Sequence, residues 1–112
     1  MGGEISPLER QRMKNIELKN VPFVFQGQDD NFSYRDIISM LMQTPEDIQK
    51  GAGIAEIRNS LRVLDALEKD DKELILEDAD FDYLHRRVNN MKFAGSHRVF
   101  IDFVDYFEEL SK

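Results

Sequence analysis

Cysteine is absent from this sequence, which removes disulfides, thiolate zinc sites, iron–sulfur clusters and cysteine nucleophiles together. No apolar run approaches the roughly 20 residues that a membrane-spanning helix needs, and the N-terminal stretch lacks the apolar centre of a secretory signal. Histidine is scarce: His85 and His97 stand in no spacing that grips a metal. The H-E-x-x-H, P-loop, G-x-G-x-x-G and G-x-S-x-G patterns are missing too. "GAGIAE" comes nearest to a phosphate loop, but it lacks the lysine and the third glycine and reads as a hinge leading into a helix. No serine has an adjacent base in a nucleophile-elbow context. These absences set the expectation of a protein that is not an enzyme and carries no metal or cofactor.

Positive charge is also in short supply. Fifteen Lys and Arg face 22 Asp and Glu, for a formal charge of −7 and a pI near 4.8, so the average surface repels phosphate backbones and anionic membranes. Neither nucleic acid nor membrane is expected as a partner. What the chain does have is 41% hydrophobic residues beside 33% charged ones, enough apolar surface to offset the entropy of ordering. At 112 residues it has room for one core and one main surface. "MGGEISPLERQR" shows little pattern, so residues 1–12 read as a flexible N-terminal extension and 13–112 as a single globular domain.

The patterning predicts an α+β fold, mainly helical, with about four helices and a small N-terminal β-hairpin or three-stranded sheet. "NIELKNVPFVFQG" alternates in two short stretches joined by a turn, with Pro22 at a strand start or on an edge and "GQDDN" as a loop. In "FSYRDIISMLMQTP", Ser33 as N-cap with Asp36 three residues on suggests a capping box, and Phe32 is placed to staple onto Ile37. Tyr34, Ile37, Ile38, Leu41 and Met42 then trace one helical face. Thr44-Pro45-Glu46-Asp47 starts a short helix that Gly51 and Gly53 limit to about a turn. Ile57, Leu61, Leu64 and Leu67 mark a helix of roughly four turns, with Glu56, Arg58, Ser60 and Arg62 on its wet side. "ELILE" suits a third strand returning to the hairpin. Phe81, Leu84, Val88 and Met91 mark another helix, and Ser96 is placed to cap a last one with an unusually wide apolar face. The expected core is Ile37, Leu41, Ile57, Leu61, Leu64, Phe81, Leu84, Val88, Phe100, Phe103 and Phe107.

Two stretches invite a chemical reading. "LEDADFDYLHRR" spaces Asp78, Asp80 and Asp82 as a calcium loop would, but Tyr83 stands where the sharp turn needs glycine and Asn89 where the loop needs glutamate. Capping suits the triplet better: Asp78 or Asp80 accepts free amides, and the other acids complement the helix dipole. Asp82 and His85, three apart, are placed to touch on one face. "YLHRRVNNMKF" sets Arg86, Arg87 and Lys92 beside aromatics, a mixture that stacks on bases, although a solvated face balancing its own acidic first turn explains it as well. Arg86, Arg87, Phe100 and Tyr106 are therefore the candidate interaction surface, since an aromatic left exposed among mostly buried ones marks a docking site.

The order of the pieces adds a resemblance. A short strand "KNIELKN", the capped "SYRDIISMLMQTP", the long "IAEIRNSLRVLDALE", then "LILEDADFDYLHRRVNNM" and a last helix resemble small accessory and morphogenesis-type proteins of tailed bacteriophages across residues 13–112. The resemblance implies a protein made in the host cytoplasm that acts through contacts with a phage structural or host protein, in head or tail assembly, and that is open to homo-oligomer formation. Its alternative is an acidic inhibitor or regulator that presents carboxylates to a host protein. The group supplies no defined active site, so no functional residue carries over.

Overall fold

Strand β1, Met13–Glu17, begins the part of the chain that the structure, a computed structural model, describes: residues 13–93 and 95–112. The expected extension over 1–12 lies outside the described residues. Strands β2 (Asn20–Phe25) and β3 (Gln28–Ser33), helix α1 (Tyr34–Met42), helix α2 (Ile54–Leu67), strand β4 (Glu73–Glu77), helix α3 (Asp78–Asn89) and helix α4 (Arg98–Ser111) follow. The described residues thus form an α+β fold of four helices and two small antiparallel sheets, β1 with β4 and β2 with β3.

The hairpin sits one strand later than the alternation suggests. Its turn is Gln26-Gly27, both at positive φ (53° and 79°), the geometry of a two-residue turn whose twist matches the flanking strands. "GQDDN" is therefore a turn and a strand rather than a loop. The all-polar run from Gln28 to Asn31 hides β3 because those side chains are exposed, and only Phe32 turns inward. Pro22 lies opposite Asn31. Counted from the Phe25–Gln28 pair that closes the turn, this is a non-hydrogen-bonded position, so the missing N–H faces away from β3 and costs no ladder bond.

β1 pairs with β4 instead of β2. Ile16 lies opposite Leu74, both fully buried, while Ile75 points outward, as the period of two requires. "ELILE" is thus a strand as expected, but it completes a separate two-stranded sheet. Lys14, also on β1, donates from Nζ to the Leu110 carbonyl at 2.7 Å, placing a cation at the C-terminal end of α4 where the helix dipole favours it.

Ser33 caps α1 as expected, its Oγ accepting from the Asp36 amide at 3.2 Å. Pro45 does not start a helix: Asp47 Oδ1 accepts from the amides of Gln49 and Lys50, a side-chain-held turn that ends at Gly51 in the left-handed region (φ 75°). The capping assignments for the later helices shift by one residue. Glu77, not Asp78 or Asp80, is the N-cap of α3, and His97, not Ser96, that of α4; neither makes a side-chain cap bond. Asp78 and Asp80 remain in the first turn of α3, where they complement its dipole.

One continuous core joins the sheets and helices. Its largest fully buried members are Phe81, Phe103, Phe107, Ile16, Ile38, Leu74 and Leu84. α4 reaches several neighbours through its wide apolar face: Phe103 meets Phe32 and Tyr34 edge-on, and Phe107 stacks on Phe81 of α3 with centroids 5.9 Å apart. The expected core fails at α2. That helix buries Ser60, Val63 and Leu67, while Ile57 and Leu61 are 41% and 51% exposed. Ser60, assigned to the wet side, is inside because its hydroxyl has a partner there, the hydroxyl of Tyr83 at 2.9 Å. A buried hydroxyl with a partner is tolerated where an unpaired one is not.

Candidate functional site

The rotation of α2 leaves an apolar stripe on the surface. Ile54 (66% exposed), Ile57 and Leu61, with half-buried Leu64, follow one another at three- and four-residue steps along one side of the helix. Beside the stripe runs an open groove of about 360 Å³, walled by Met42, Thr44 and Pro45 at the end of α1 and by Ala52, Ile57, Leu61 and Leu64.

The groove wall is tied to α3 by polar contacts to Thr44 and Glu56. Arg87 of α3 is only 4% exposed, and its guanidinium donates to the Tyr83 hydroxyl (2.8 Å), the Leu41 carbonyl (3.0 Å) and the Thr44 carbonyl (2.7 Å). The last turn of α1 contains no basic residue, so Arg87 supplies from α3 the donor and the charge that helix C-termini favour. The Glu56 carboxylate of α2 lies 3.7 Å from Arg87 and accepts from the Glu46 amide at 2.8 Å. Arg86 pairs with Glu46 at 2.5 Å, and Arg62 of α2 donates to Asp80 of α3 at 2.9 Å. Together these bonds fix the spacing of α1, α2 and α3 and hence the width of the groove.

The four candidate surface residues separate. Arg87 is not on the surface; it is internal and fully engaged. Arg86 is exposed but tied to Glu46. Phe100 is half buried in an aromatic layer with Phe23, Phe32, Phe93 and His97, and Tyr106 accepts from the Glu17 amide at 2.8 Å through its hydroxyl. They form no common face. Nor does the aspartate triplet: Asp80 serves Arg62, while Asp78 and Asp82 point to solvent. Among the described residues, no group of three or more His, Asp or Glu is placed to hold a metal ion.

His85 bonds to Glu108 of α4 at 2.9 Å rather than to Asp82, and Asn89 reaches the same carboxylate. These bonds, His85 first, hold the Glu108 carboxyl below the usual carboxylate range. Burial, followed by the charges of Asp102, Tyr106 and Glu17, raises the Tyr34 phenol. The sequence pattern singled out Ile57, Leu61 and Leu64 of the stripe but assigned them to the core, and it gave Ile54 no role. The signal available was an excess: α2 carries more apolar positions than one buried face accommodates.

Comparison with protein-family models, with curated proteins and with solved structures gives no match to this chain. No helix among the described residues is long and apolar enough to cross a membrane.

Proposed function

We propose that this chain is a non-enzymatic, protein-binding domain of the kind that the phage accessory resemblance suggests, acting by contact in particle assembly within a bacterial host. The observation that supports this reading is the stripe Ile54–Ile57–Leu61–Leu64: large apolar side chains left open beside a groove whose lining residues Thr44 and Glu56 are held by buried Arg87. Exposed apolar surface of this kind on a helix, rimmed by polar residues, suits a partner's amphipathic helix.

The test is affinity capture from host lysate with the wild-type chain and with an Ile57→Glu/Leu61→Glu variant whose far-UV circular dichroism is unchanged. A protein retained by the wild type and lost by the variant supports the reading. Identical captures, or none from a chain that is also monomeric in solution, remove it. Release of the captured protein by about 0.5 M salt, with the stripe substitutions having no effect, would favour the acidic inhibitor instead, because exposed charge contacts are screened at that ionic strength.

A further inference from the structure

We infer that the occupant of the α2 stripe is the α2 helix of a second copy of this chain, packed antiparallel about a two-fold axis at the level of Asn59. The inference rests on the protein-binding reading and names its partner. Ile54, Ile57, Leu61 and Leu64 have the three-four-three spacing of a coiled-coil seam, in which each apolar side chain inserts between those of a facing helix. An antiparallel copy sets Ile54 against Leu64 and Ile57 against Leu61, so that every layer of the seam is filled.

The charges along the seam choose both the partner and its direction. One edge of the stripe carries Arg58 and Asp65, both exposed, and among the described residues neither has an ion-pair partner. The opposite edge carries Ser60 and Leu67, which are buried in the chain's own core and unavailable to a partner. In a parallel pair each exposed edge would face that closed edge of the other copy, leaving Arg58 and Asp65 without partners. In an antiparallel pair the two open edges face each other, and Arg58 of one copy reaches Asp65 of the other. Two opposite charges one heptad apart on one edge are thus complementary to themselves under two-fold symmetry, the form that most homodimer interfaces take.

The experiment is sedimentation velocity on the full chain from about 1 to 200 µM, a range suited to an interface at the small end of stable ones. Self-pairing predicts a mass that rises with concentration from 13.1 kDa towards twice that value. Leu61→Glu should remain monomeric across the range while keeping the far-UV circular dichroism of the wild type. Arg58→Asp and Asp65→Arg should each weaken association at least about fivefold, and the double exchange should restore it to within about twofold, the coupling that a direct charge pair shows in a double-mutant cycle. A wild-type chain that stays monomeric throughout, or a double exchange no better than either single, overturns the inference. If the wild type is monomeric yet Leu61→Glu loses a captured host protein, the second copy is ruled out and the protein-binding reading stands. If neither effect occurs, both fall.

Discussion

Arg87 and Arg86 are neighbours in sequence with opposite roles in the fold. Arg87 is enclosed by carbonyls, a phenol and a carboxylate, so Arg87→Met strands buried acceptors and should cost about 2–4 kcal/mol. Arg86→Met removes one exposed ion pair and should cost less than about 1 kcal/mol. Urea denaturation of the two variants measures the difference. Glu108 gives a second test at this scale. Its carboxyl is lowered by His85 and Asn89, so its contribution to stability is present above the ordinary carboxylate range and is lost as pH falls through the lowered value. A carboxyl-detected NMR titration should place Glu108 below the other exposed glutamates, and His85→Ala should return it towards them.

Among the elements, α2 is the informative one, because two of its faces compete for the interior. Leu67 lies on the buried face and Leu61 on the exposed stripe. Leu67→Ala should therefore cost about 2–5 kcal/mol, whereas Leu61→Ala should cost about 1 kcal/mol or less, since a half-exposed leucine has little burial to lose. The order inverts if Leu61 faces the core. At α1, Ser33→Ala removes the one observed side-chain cap bond among the helices of the described residues and should cost about 1 kcal/mol. Thermal melts of these three variants test the assignment of faces and caps together.

At the scale of the molecule, the pairing of β1 with β4 ties residues 13–17 to residues 73–77 around the intervening hairpin and helices. A core that continuous should unfold in one step. Tyrosine fluorescence, which reports Tyr34 and Tyr83 in the core and Tyr106 against it, should lose its native signal at the same denaturant concentration as the helical dichroism. An earlier loss of either signal would show the sheet and the helices separating.

Helix existence was legible in the sequence because helical periodicity and capping are local: the spacing of Tyr34, Leu41 and Met42 and the Ser33 cap arise within one segment. "ELILE" was legible as a strand for the same reason. The identity of its partner was not, because strand pairing depends on where distant segments meet, and the all-polar run from Gln28 to Asn31 gave β3 no apolar signature. The sequence by itself determined four amphipathic helices, a net negative charge and the absence of cysteine. Only the tertiary structure decided which face of α2 turns inward. The face that does turn inward buries Val63 and Leu67 together with Ser60, whose hydroxyl bonds to Tyr83, itself bonded to Arg87. A hydrogen bond between residues 23 positions apart leaves no trace in local spacing, and neither does the packing of Val63 and Leu67 that leaves Ile54, Ile57 and Leu61 on the surface.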